Sequence, residues 1–523
     1  MVPIARFVPD PMAGPPREVR MTTTVTIPSE APPTPATRRR RVIGLAAGVL
    51  LGALVYLVLP DGLNPSARFV AAVAVLMAAW WMTEAIPLAA TALVPMVAFP
   101  FVENLESDDG GPIGMAAAVA PYANPIIWLF MGGFVIGLGM QRWNLHRRFA
   151  LNIVSRVGTN PVALVGGFML ATALVSMWVS NTATAVMMFP VGLAVLALVN
   201  AREPDRNLTT ALLLGIAYAA SIGSVSTLIG TPPNTLLRGF VQEEYGVSIG
   251  FAEWMLVGVP LAAVFLVVAW LVLTRVAFPP SSRDIGEERQ LLRDEVAGLG
   301  RMSRGEWTVS AVFAAAAVAW IVFGALGQSE SFVAANPWID TYDDAMVAVA
   351  AALALFLIPA TRDGQRTLDW SATRELPWGI LLLFGGGLAL SAQFGQTGLS
   401  AWIGEQVAGM AGIPVWVVVL AVIVLVIFLT ELTSNTATTA TFLPVMAGVA
   451  SGLAIEPLLL LVPTALAATM AFMLPVATPP NAIVFGSGQI TIGEMVKGGV
   501  LLNVAGIVLI MATVYTLVVT VLV

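Results

Sequence analysis

The 523-residue sequence has no cysteine, one histidine (His146) and one lysine (Lys497), and only 11% of its residues are charged. Without cysteine there is no thiol nucleophile, no thiolate metal site and no disulfide. A single histidine cannot supply the paired ligands of a metalloprotease helix. Lys497 is followed by Gly498, so the phosphate-cradling lysine motif of nucleotide motors is missing. With its only lysine at the end of a span, the chain also has no Ser-Lys dyad for intramembrane catalysis, and no enzymatic function is expected.

What is present is apolar. Hydrophobic residues make up 58% of the chain and the mean hydropathy is +0.87, whereas soluble domains carry about a quarter charged residues. The composition is that of a polytopic integral membrane protein. Its 47 glycines and 35 prolines run through the apolar part. Breaks in the backbone at membrane depth are tolerated only where they are buried or line a cavity, which points to a transporter or channel.

Residues 1–41 read as a disordered cytoplasmic tail that ends in Arg38, Arg39, Arg40 and Arg41. Spans are expected at 42–60, 68–84, 86–103, 124–141, 252–278, 307–327, 343–361, 376–397 and 496–522. Two apolar stretches, 160–198 and 412–451, are about twice a span in length and should enter and return as helical hairpins. Stretches 208–240 and 457–487 read as single crossings interrupted by T-P-P-N, because consecutive prolines remove donors and push the preceding residue out of helical geometry. Residues 279–306 form a cytoplasmic linker. With the N-terminus cytoplasmic and the C-terminus outside, only Arg68 and Arg238 of the 25 Lys and Arg residues fall outside. His146, among Arg142, Arg147 and Arg148, reads as an interfacial anchor. Glu84 and Glu431 are acids near or within spans, for which a functional and a structural role are both open.

The halves repeat. S-N-T-A-T at 180–184 recurs at 434–438, and Phe130-Met131-Gly132-Gly133 aligns with Phe384-Gly385-Gly386-Gly387, both at an offset of 254. T-P-P-N at 231–234 recurs at 478–481, an offset of 247. Three matches in one order indicate internal duplication, with the first span and first repeat over 42–278 and the second repeat over 307–523. Five single crossings separate the hairpins, so the repeats are inverted. That is an architecture of secondary transporters, with binding groups at the helix breaks. A lone S-N-T could be polar glue between helices, but two inverted copies paired with two breaks favour a binding site. Ser, Asn and Thr there supply neutral donors for a carboxylate and oxygen ligands for sodium. With no Arg or Lys in such a pocket, a dianion would need co-bound cations, and the two would be electrostatically coupled.

The paired S-N-T and T-P-P-N motifs, with Trp80-Trp81-Met82-Thr83-Glu84-Ala85-Ile86-Pro87-Leu88 near the start, resemble the divalent anion/sodium symporter family of di- and tricarboxylate carriers over residues 42–523. The resemblance implies an all-α fold of about 11 transmembrane helices and two re-entrant hairpins, arranged as scaffold and transport domains in a homodimer that works as an elevator. It places Ser180, Asn181, Thr182, Ser434, Asn435 and Thr436 at hairpin tips against substrate carboxylates, and adds Thr231, Pro232, Thr478 and Pro479 at the breaks. It assigns one sodium ion to Ser176, Ser180, Asn181 and Gly230, and a second to Thr430, Ser434, Asn435 and Ala477. The implied function is sodium-coupled import of C4-dicarboxylates such as succinate, malate and fumarate across the cell (inner) membrane. A sodium-independent exchanger, or a citrate or sulfate carrier on the same fold, is the alternative. The partners expected are the anion, sodium and membrane lipid, with no nucleic acid. Ala185-Val186-Met187 differs from Thr439-Ala440-Thr441, so the pocket need not be symmetric.

Overall fold

A computed structural model describes residues 35–103, 111–156, 160–200, 204–281, 297–327, 329–361, 363–410 and 412–523. Among these the secondary structure is helical, apart from two isolated β-bridges. Among the described residues eight helices are long and apolar enough to cross a membrane, and shorter apolar helices include three of the four arms of the expected hairpins. Large apolar side chains such as Leu50, Leu57, Val264, Val318 and Val508 are exposed on the outer helices, where lipid is the solvent. The chain is an integral membrane protein.

Of the expected tail, residues 1–34 lie outside the described residues, as do 282–296 of the linker. Helix α1 (Pro35–Val58) starts ahead of the four arginines, so these form its first turns and do not end a tail. It lies along α2 (Pro65–Thr83) through glycines spaced by four, Gly44, Gly48 and Gly52. A Cβ on Gly48 would come within 2.4 Å of the Trp80 ring, the small-residue contact by which helices approach closely in lipid. The expected span 86–103 is instead three short helices, Leu88–Thr91, Val94–Ala98 and Phe99–Phe101. Pro87, Pro95 and Pro100 withdraw the donors that a continuous helix needs.

Helix α3 (Pro125–Arg142) is followed by a further helix, α4 (Leu145–Arg156), which lies outside the expected spans. Its apolar residues Leu145, Ala150, Leu151 and Val154 are buried, while Arg148 faces Glu306 at 2.6 Å and donates to the Leu299 and Gly300 carbonyls. His146 is also buried, with Nδ1 2.8 Å from the Met140 carbonyl oxygen. Burial pushes its imidazole below the usual histidine value, although that backbone hydrogen bond pulls the other way.

The hairpin over 160–198 is α5 (Pro161–Ser176) and α6 (Asn181–Asn200), and the interrupted crossing is α7 (Arg206–Ser224) and α8 (Pro232–Tyr245). Helix α9 (Phe251–Leu271) ends in a π-helical turn, Val272–Ala277. After α10 (Arg304–Gly327) and α11 (Asp344–Leu357), the run from α3 to α9 recurs in order. The counterparts are α12 (Trp378–Gln396), α13 (Leu399–Val407), α14 (Val415–Thr430), α15 (Asn435–Gly452), α16 (Leu458–Thr469), α17 (Pro479–Gly486) and α18 (Ile492–Thr513). Helix α18 also ends in a π-helical turn, Val514–Val518. Helix α13, like α4, was not read as a helix from the sequence.

At the centre stand α7, buried at every residue from Leu208 to Ser224, and α16, buried along nearly its whole length. Each packs against the hairpin of its own half, α7 on α5 and α6, and α16 on α14 and α15. The short halves cross over: α8 packs on α15 and α16, and α17 packs on α6 and α7. This interlocking brings both hairpin turns and both breaks to one region.

Candidate functional site

Helix α5 stops at Ser176, and α6 restarts at Asn181 with Ser180 as its cap, the Ser180 hydroxyl accepting the Ala183 N–H at 3.3 Å. In the second half, Ser434 caps α15 in the same way, accepting from Ala437 at 3.5 Å. Thr231 and Thr478 stand before α8 and α17, each followed by two prolines at the first helical positions. Proline suits that place because its missing N–H would be unpaired there in any case.

The four helix starts face shared space. A cavity of about 500 Å³ is lined by Asn181, Thr182, Thr231, Pro232, Ser434, Asn435, Thr436, Ala477, Thr478 and Pro479. A neighbouring cavity of about 350 Å³ takes in Ser180, Asn181, Thr182, Gly230 and Pro232 beside Phe130, Phe134 and Trp178. Ser176 and Thr430 line neither cavity. They lie behind the tips, fully buried, and their hydroxyls donate to Ala220 O at 2.6 Å and Ala468 O at 2.8 Å. Thr430 also donates to Asn435 Oδ1 at 2.8 Å. One expectation needs correction: the larger cavity does carry a basic residue. Arg40 of α1 lines it, its guanidinium 3.2 Å from the Met82 carbonyl, and so does Glu84, the left-handed cap of α2 with φ 48°. The two rim charges are opposite, so the lining as a whole gains no formal positive charge.

A helix that breaks inside a membrane strands carbonyls on one side and N–H groups on the other, and each must find a partner. The hairpins supply those partners, differently in the two halves. At the break after α16, Thr430 hydrogen-bonds the stranded Ala468 carbonyl. The next residue, Glu431, accepts the N–H groups of Phe472 at 2.8 Å, Met473 at 2.9 Å and Leu474 at 3.0 Å. Asn503 of α18 adds a fourth donor at 2.8 Å, and the glutamate is only 3% exposed. At the break after α7, Ser176 holds the Ala220 carbonyl, but Met177 occupies the place of Glu431. Its backbone carbonyl accepts the Thr227 hydroxyl at 2.5 Å. Glu431 thus has a structural role in holding the second break, and among the described residues it puts a carboxylate beside that break and not the first.

Close packing holds both breaks in place. A Cβ on Gly230 would lie 2.2 Å from the Ser224 carbonyl oxygen. Equivalent glycines of α9 and α18, Gly258 and Gly499, let those helices touch the broken backbone: a Cβ would meet Val225 O at 2.5 Å and Phe472 O at 2.3 Å. Among the described residues no group of three His, Asp or Glu could hold a metal ion. The oxygens gathered at the tips are hydroxyl, amide and carbonyl, a donor set for a hard monovalent cation and for hydrogen-bonding a carboxylate.

Residues 39–522 match the family model for the sodium:sulfate symporter transmembrane region. The chain belongs to this family. As a symporter-family protein it is a membrane transporter, not an enzyme. It is 41% identical over 488 residues to the sodium-dependent dicarboxylate transporter SdcS of Staphylococcus saprophyticus, with 91% of each chain covered. The transporter of the same name from Staphylococcus aureus strain USA300 is 39% identical over 485 residues, again with 91% of each chain covered. In fold the chain is similar to the Alcanivorax borkumensis YdaH transporter, with a TM-score of 0.54 at 14% identity, covering 92% of this chain and 96% of that one. Neisseria gonorrhoeae MtrF gives a TM-score of 0.54 at 12% identity, covering 93% and 95%.

Two substitutions in this symporter-family site test the geometry. Gly230→Val forces a side chain onto the Ser224 carbonyl, overpacking worth about 1–3 kcal/mol, and should raise the sodium concentration for half-maximal uptake. An unchanged sodium dependence counts against Gly230. Glu431→Gln keeps the shape and removes the charge. It should raise the same concentration about tenfold, the equivalent of ~1.4 kcal/mol, and a variant with wild-type sodium response would show that the charge is dispensable.

Proposed function

We propose that the protein is a sodium-coupled importer of C4-dicarboxylates, working in the cell (inner) membrane with its N-terminus in the cytoplasm and its C-terminus outside. The observation that carries this reading is the larger cavity, on which four helix N-termini converge amid hydroxyl and amide groups with balanced formal charge. Helix N-termini favour anions by about 0.3–1 kcal/mol each, which is too little to bury a dianion. A sodium ion ~4 Å from a carboxylate contributes about 4 kcal/mol at an effective dielectric constant of ~20. The cations therefore dominate, and anion and sodium each raise the other's affinity. Relatives about 40% identical are named sodium-dependent dicarboxylate transporters, which agrees with this chemistry.

In this reading S-N-T groups hold the two carboxylates. Pro232, Pro233, Pro479 and Pro480 leave their helix starts with fewer N–H donors, so Asn181, Thr182, Asn435 and Thr436 do most of the hydrogen bonding to the anion. One sodium lies among Ser176, Ser180, Asn181 and Gly230, and the other among Thr430, Ser434, Asn435 and Ala477. The two halves are inverted repeats. Hairpins and broken helices move together as a transport domain against a scaffold contributed by a homodimer, carrying the site across the membrane as an elevator.

The test is uptake of labelled succinate into proteoliposomes with and without an inward sodium gradient, competed by malate, fumarate, citrate and sulfate. Uptake should require sodium and be competed best by the C4 acids. Equal uptake without sodium would indicate an exchanger, and sulfate outcompeting succinate would indicate an inorganic-anion carrier. Asn181→Ala and Asn435→Ala should each lower uptake at least about tenfold, an equivalent of ~1.4 kcal/mol or more, while leaving the protein folded. Wild-type uptake in both would sink the site assignment.

A further inference from the structure

Each T-P-P-N motif ends in an asparagine that lines neither cavity. Asn234 and Asn481 are both fully buried, at the third positions of α8 and α17. Both reach back across their break with the side-chain amide. Asn234 Nδ2 donates to Thr227 O at 2.9 Å and to Val225 O at 3.2 Å. Asn481 Nδ2 donates to Leu474 O at 3.1 Å and to Ala471 O at 3.2 Å. The nearer anchor is seven residues back in both copies, so the two side chains close rings of equal size, 227–234 and 474–481.

The rings are equal although the breaks are not. Seven residues separate α7 from α8, but nine separate α16 from α17. The extra length in the second break falls before residue 474, in the segment held by Glu431. Inside each ring lie the residue before T-P and the T-P pair: Gly230, Thr231 and Pro232 in one, Ala477, Thr478 and Pro479 in the other. In both asparagines Oδ1 is buried with no hydrogen-bond partner among the described residues, so the amide is held by its N–H donors alone. A buried unpaired oxygen is rare and costs about 1–3 kcal/mol, which makes its recurrence at equivalent positions informative.

We propose that Asn234 and Asn481 are positioning residues for the two sodium sites, each closing a ring of fixed size that sets where the Gly230 or Ala477 carbonyl stands. This rests on the reading that those residues ligate sodium. By using up the carbonyls of 225, 227, 471 and 474, each amide also decides which backbone oxygens remain free for the ion. The size and stiffness of an oxygen cage govern selection between hard cations, so the asparagines set the preference for sodium over the smaller lithium ion.

The test uses the full-length protein in proteoliposomes, with Asn234→Ser and Asn481→Ser, which shorten the arm and keep one donor. The wild type is measured first; if its uptake does not depend on sodium, the transport reading itself has failed. Given sodium-dependent wild-type uptake, each variant should raise the sodium concentration for half-maximal uptake about tenfold. The lithium-to-sodium activity ratio should shift, and the succinate KM at saturating sodium should stay within about threefold of wild type. A purely structural role would lower the amount of active protein and leave the half-saturation and the ion ratio unchanged, and that result overturns the proposal. Should the Ser variants fail to fold, Asn234→Gln and Asn481→Gln keep both donors on a longer arm. A shifted ion ratio in these supports the ring, and an unshifted one overturns it.

Discussion

A charge cannot enter hydrocarbon without a counterpart, and a backbone cannot break there without new partners for its stranded groups. The site meets both demands with the same atoms. Breaking α7–α8 and α16–α17 creates helix starts that favour an anion and free carbonyls that suit a cation. The hairpins then satisfy whatever the binding chemistry does not use. Ser176 and Thr430 each take a stranded carbonyl one residue before the turn, while Ser180 and Ser434 cap the helices that follow. A residue proposed as an ion ligand is thus also a residue that lets the broken helix exist. Substitutions at these positions act on folding and on transport together, which is why the informative readouts are ion dependence and selectivity.

The duplication is preserved in backbone plan and relaxed in charge. Equivalent glycines, asparagines and hydroxyls stand at both breaks, yet only the second has a carboxylate, with Met177 in the corresponding place of the first. A carboxylate near one break and not the other sets the two halves of the candidate site apart. The rim adds charges from outside the repeated run, since Arg40 and Glu84 belong to α1 and to the cap of α2, which precede α3.

Most of the site was legible because its chemistry is local and repeated. S-N-T and T-P-P-N mark turns and breaks by residue type alone, and the length of the apolar stretches around S-N-T places the paired helices to within a few residues. What the sequence did not disclose depends on distance in space. Glu431 is visible as an acid in an apolar run, but its backbone partners lie 41 to 43 residues later, in the unwound segment after α16, and Asn503 lies 72 residues later. Helices α4 and α13 carry no span-length apolar run, being short, and α4 is buried on one face only. Gly44, Gly48 and Gly52, spaced by four, mark in the sequence the face on which α1 meets α2. Arg40 was assigned to a tail, since nothing local says that the helix begins before it.

In the proposed mechanism the countercharge for the anion comes from sodium. This is tested most directly by equilibrium binding of labelled succinate to the purified protein, measured against sodium concentration with choline as the replacement ion, and repeated as sodium binding with and without succinate. With sodium as the countercharge, succinate should not bind measurably in choline, and each ligand should raise the other's affinity by the same factor. Succinate binding of the same strength in choline and in sodium would contradict it.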